Sequence, residues 1–99
     1  MSGKITSPDG ALEIIRSSVR YFRRGPKIIE VAVKNSGSSN VNAEISVDLY
    51  DLWDNVIDNI TTIFKDIAPE ETKHFDISTD RSPKRFEIES HKIKSVRVI

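Results

Sequence analysis

Five oxygen-bearing side chains crowd one short stretch of this chain: Asp48, Asp51, Asp54, Asn55 and Asp58. Hard carboxylate and amide oxygens in a turn are the ligands that Ca²⁺ takes, but these lack the spacing and central glycine of an EF-hand loop. Strand alternation would also divide them between two faces, so no metal is assigned to them. The two histidines, His74 and His91, have no cysteine to join them and no serine and acid arranged around them. Nucleophilic and metal-assisted catalysis therefore have no constellation to act through. The expectation is a protein that is not an enzyme, with no cofactor and no small-molecule substrate.

Two other groups could bind something. Arg16, Arg20, Arg23, Arg24 and Lys27 form a basic cluster, which Lys84, Arg85, Lys92, Lys94 and Arg97 could join in space. Nucleic acid requires a basic groove interleaved with stacking aromatics; only Tyr21 and Phe22 stand near, and the formal net charge is zero. A solvated basic face is the simpler reading. The single tryptophan, Trp53, follows Leu52 in what reads as a hairpin turn, where water-facing residues normally go. Either it folds back over the flank of the hairpin or it stands exposed as an anchor for a partner. The triplet Asn59-Ile60-Thr61 fits a glycosylation sequon but falls within a strand pattern.

The elements that must position these groups are strands. Val41 to Asp51 alternates apolar and polar residues without a break, the pattern of a strand with one buried face. Fourteen isoleucines and eight valines against three leucines give a β-branched bias that a pleated sheet accommodates better than a helix. Residues 1–10 read as a flexible lead-in rich in turn formers, and residues 11–99 as one domain. In that domain Leu12/Ile14 and Val19/Tyr21 alternate out of step, placing a bulge near Ser17-Ser18. Ile29, Val31 and Val33 give the next inward face. Val56 to Lys65 returns from the hairpin with Ile60, Thr62 and Phe64 on one face and Ile57 and Ile63 on the other. Phe75/Ile77, Phe86/Ile88 and Ile93/Val96/Val98 supply the remaining strands. About seven short strands with regular turn signals describe an antiparallel β-sandwich.

The charge is uneven along the chain. Residues 1–35 hold seven Lys/Arg and three Asp/Glu, residues 36–80 two and ten, and residues 81–99 six and two. Basic ends and an acidic middle give the folded surface a dipole. There is no cysteine, hence no disulfide framework or thiolate chemistry. No stretch is long and apolar enough for a membrane span, and Lys4, Pro8, Asp9, Gly10 and Glu13 interrupt the start as a signal peptide would not allow. The compartment is left open, and would be extracytoplasmic if the chain is cut from a longer precursor.

Four segments in order resemble a known family. Val33-Lys34-Asn35 before a polar loop, Val47-Asp48-Leu49-Tyr50-Asp51, Ile67-Ala68-Pro69-Glu70-Glu71 and the aromatic Phe75 are similar to the corresponding segments of FxLYD domains. In this chain Val47 stands for the namesake phenylalanine, Glu70 for a turn glycine, and Leu52-Trp53-Asp54 for the small polar residues and glycine that end the family's hairpin. The resemblance implies an immunoglobulin-like β-sandwich module of bacterial and archaeal type with no shared catalytic site. From all of this the expected function is a protein-interaction module, binding a protein partner or a second copy of itself. Its contact residues would be Leu52, Trp53, Ile57, Ile63, Arg20, Arg23, Arg24 and Lys27. The alternative is a structural spacer in a larger or surface-associated protein.

Overall fold

The computed structural model describes residues 5–20 and 28–99, Arg20 through its backbone alone. Arg23, Arg24 and Lys27 of the expected contact set lie outside these residues, as do Tyr21 and Phe22. Seven strands occur: β1 (Ile5–Thr6), β2 (Leu12–Arg20), β3 (Ile28–Asn35), β4 (Val41–Tyr50), β5 (Val56–Ile67), β6 (Thr72–Ser78) and β7 (Ser90–Val98). No helix occurs among the described residues, so none is long and apolar enough to cross a membrane. One sheet has the order β1-β2-β3-β6 and the other β5-β4-β7, and every pairing is antiparallel. The two sheets face each other as an immunoglobulin-like β-sandwich, with β3 beside β6 in one layer and β4 beside β7 in the other.

Period-two patterning explains which faces meet. Ala43, Ile45, Val47 and Leu49 of β4 are fully buried, and so in effect are Ile29, Val31 and Val33 of β3. These two inner faces, with Leu12, Ile14, Ile67, Ile77, Ile88, Ile93 and Val96, make one continuous core. At the side where β5 and β6 end their sheets, Phe64 and Phe75 stack across the gap with ring centroids 4.0 Å apart.

Four features depart from the sequence pattern. Ile5 and Thr6, within the expected lead-in, pair with Ile14 and Glu13, and Ile5 packs against the core. The bulge in β2 falls between Ile14 and Arg16, not at Ser17-Ser18, and leaves Ile15 half exposed. A second bulge sets Leu49 opposite Asp58 but Tyr50 opposite Val56. The extra residue, Ile57, consequently packs against the core and does not share the outer face with Ile63. Phe86 lies in the connection before β7, and is 79% exposed.

One polar side chain ties the layers together. Asn35, at the end of β3, is fully buried. Its Nδ2 donates to the carbonyls of Ser39 (2.8 Å) and Ile67 (2.9 Å), and its Oδ1 accepts from the Gly37 amide (2.9 Å). Its backbone N–H donates to Glu71 and its carbonyl accepts from the Glu70 amide. That turn is tight: the Glu71 amide returns to the Ala68 carbonyl, the Glu71 carboxylate accepts from the Ala68 amide, and Glu70 has φ +64°. Asn35→Asp keeps the shape but turns an acceptor on two carbonyls, that of Ile67 buried and that of Ser39 partly so. Equilibrium urea unfolding should show a loss of about 2–5 kcal/mol; an unchanged midpoint would show that this network contributes nothing.

Candidate interaction surface at the hairpin end

The turn between β4 and β5 is built by Asp51. Its Oδ1 accepts from the backbone amides of Trp53 and Asn55, both at 2.9 Å, and its Oδ2 accepts from the Asn55 side chain at 3.2 Å. The Asp51 amide donates to the Asn55 carbonyl and the Asp54 amide to the Asp51 carbonyl. Asp54 takes φ +61°. A turn over Leu52 and Trp53 followed by a left-handed residue is the ordinary closure of a three-residue hairpin loop, normally with glycine third. The Asn55 amide, helped by the Asn55 side chain and the Trp53 amide, holds the Asp51 carboxyl below its usual value despite the opposing cost of burial.

This ordered turn presents apolar groups to water. Trp53 is 77% exposed and Leu52 69%, with Val56 exposed just beyond them. Trp53 therefore does not fold back over the hairpin flank. The connection 79–89 returns to the same end, since the Glu89 amide donates to the Tyr50 carbonyl at 2.8 Å and Ser90 pairs with Tyr50. It is a chain of tight turns, with amides of Ser82, Arg85 and Glu87 donating three residues back. Ser82 Oγ anchors it to Asp58 Oδ2 of β5. The exposed Phe86 ring carries the Arg85 guanidinium at 4.7 Å, and Lys92 Nζ sits 5.3 Å from the Tyr50 ring centre. Cations placed over aromatic faces are held by the ring quadrupole. Of seven large apolar side chains exposed among the described residues, four (Leu52, Trp53, Val56 and Phe86) lie at this end.

The other candidate residues are distributed differently. Ile63 is exposed but sits in the middle of β5 opposite Glu44, away from the tip. Ile57 is partly buried and packs against the core. Arg20 ends β2 opposite Ile28. The wider basic set is not one patch: Arg97 pairs with Glu44 on the outer face, Lys84 with Glu87, and Lys92 covers Tyr50. Asp48 accepts from Asn59 on the outer face, whereas Asp58 points to Ser82 on the inner one. Among the described residues no three acidic or histidine side chains gather as metal ligands would. His91 is half-buried with Nε2 3.2 Å from Ser17 Oγ, and burial holds its pKa below the usual imidazole value. His74 is exposed on β6. Phe86 and Val56 were not among the expected contact residues; Phe86/Ile88 alternate as a strand does, and only Pro83 signals a turn nearby. Compared with known proteins, the chain matches no family model, no curated protein and no solved structure.

Because the folded Asp51 carboxyl titrates below its ordinary value of 3.8, its support of the turn is complete above that value and is lost as pH falls through the lowered one. The amide resonances of Trp53 and Asn55 should therefore move together with one midpoint below 3.8. A midpoint at or above that value, or amides that titrate separately, would mean the carboxylate does not organise the turn.

Proposed function

We propose that this domain is a non-enzymatic interaction module that takes hold of a protein partner through the hairpin end, with Trp53 as its anchor. The observation that carries this reading is the exposure of Trp53 at 77% on a turn fixed by three hydrogen bonds to one carboxylate. Tryptophan is among the residues that most often dominate binding energy. An anchor whose backbone is already held loses less freedom when it docks. Leu52 and Val56 add exposed apolar surface beside it, Phe86 adds more on the connection at the same end, and Asp54, Lys84 and Arg85 supply both signs of charge there. A partner with an apolar socket and a polar rim fits such a surface. The FxLYD-like segments support the same reading, because modules of that kind carry no shared catalytic site. Arg20, Arg23, Arg24 and Lys27 belong to the proposal on their charge in the sequence alone.

A photo-crosslinking residue placed at position 53, and in a second variant at position 95 on the opposite part of the sheet, tests this in the producing cell. The expected result is a discrete crosslinked protein from position 53 that disappears when Asp51→Ala loosens the turn, with none from position 95. Equal crosslinking from both positions, or none from either, would favour a spacer without a partner.

A further inference from the structure

The four outer strands of the two sheets are β1, β6, β5 and β7, and three of them carry protection against pairing with another chain. β1 is two residues long; β6 contains Lys73 and Asp76; β7 contains Lys92, Lys94 and Arg97. Short length and charge are the usual means of blunting an exposed edge. β5 has neither. It is twelve residues long, bonded only to β4 among the described residues, and from Asn59 to Phe64 has no charge, glycine or proline. Four consecutive residues there, Ile60 to Ile63, are β-branched, the composition that pairs most readily as an extended strand. The edge is also accessible. A cleft of about 700 Å³ runs along Asp58 to Ile63, with Ser78, Arg81 and Pro83 on its far side.

We propose that β5 pairs antiparallel with β5 of a second copy of this chain about a two-fold axis near Thr61. The two three-stranded sheets then join as one sheet of six. The axis must pass through a residue for side chains on the same face to stay together across the seam. With Thr61 at the centre, Ile60 meets Thr62 on the inner side and Asn59 meets Ile63 on the outer side, covering an isoleucine that is 51% exposed in one copy. Charge favours this arrangement over a parallel one. The Asp58 end of each strand lies against the Lys65 end of the other, where opposite charges meet. Beyond them, Arg81 forms no ion pair or hydrogen bond among the described residues, and the Asp66 carboxylate forms none either. Arg81 borders the cleft at the end where Asp66 of the second copy arrives. Zero net charge leaves no overall repulsion to oppose the approach. This surface centres on Thr61 in the middle of β5 and adjoins the Trp53 end only where Asp58 meets the connection through Ser82.

Sedimentation equilibrium of the full chain tests the pairing. The wild type should form a reversible dimer. Ile63→Lys, which sets a cation in the seam on an already exposed side chain, should weaken it at least about tenfold. Arg81→Glu, outside any strand, should weaken it as well, while Ile15→Lys in the opposite sheet should leave it unchanged. Amide exchange over residues 59–64 should slow as concentration rises. A wild type that stays monomeric up to about 1 mM overturns the proposal. So does a dimer that survives both Ile63→Lys and Arg81→Glu but is lost in Trp53→Ala, which would place the contact at the hairpin end.

Discussion

The polar contact that joins the two layers at one end of this sandwich is made by Asn35. Hydrophobic burial brings β3 and β4 face to face, but it does not say where the strands must stop or which loop belongs to which end. Asn35 does so with one amide group, which reaches the 36–40 loop, the last residue of β5 and, through its own backbone, the turn before β6. An aliphatic residue of similar size would leave the buried Ile67 carbonyl without this donor and take partners from the part-buried Ser39 carbonyl and Gly37 amide. The cost of that omission, not the gain of the bonds, is what makes the position specific. Among the described residues no buried side-chain nitrogen or oxygen lacks a partner, so the polar groups within the layers are all accounted for.

With that end fixed, β4 becomes the strand from which the opposite end is built. It is the central strand of its sheet, paired with β5 on one side and β7 on the other. Its fully buried face leaves it no freedom to slip by one residue, because a slip would turn every core side chain outward. The tip after Tyr50 and the start of β7 therefore project from a part of the molecule that cannot shift. Two left-handed residues, Asp54 and Glu70, stand in turns at opposite ends of the domain. Both hold a conformation that an L side chain adopts at some cost.

The faces of β3 and β4 were legible in the sequence because alternation over eight or more residues admits only one burial pattern. The bulges were not. Ile57 continues the alternation of its neighbours, and only the pairing of Tyr50 with Val56 shows that it must turn inward. Ile15 is the same case in β2. Phe86 and Ile88 are spaced as in a strand, yet the turns formed by Ser82, Arg85 and Glu87 place one outside and the other in the core. The role of Asn35 was hidden for another reason. In a run of Asn, Ser and Gly it reads as one loop former among several, and only the convergence of residues 39, 67 and 71 upon it reveals the network. Of the hairpin end, the odd placement of Trp53 was visible, but its orientation depended on the Asp51 hydrogen bonds.

A structural tryptophan and a contact tryptophan differ in what their removal does to the free protein. A residue packed on the hairpin flank contributes burial, and truncating it costs several kcal/mol. A residue held out in water contributes almost nothing to folding. The most direct measurement is equilibrium unfolding of Trp53→Ala, followed by circular dichroism so that no signal depends on the lost indole. The midpoint and slope should match the wild type within about 0.5 kcal/mol, whereas a loss above about 2 kcal/mol would show that Trp53 holds the fold together and is not kept free for a partner.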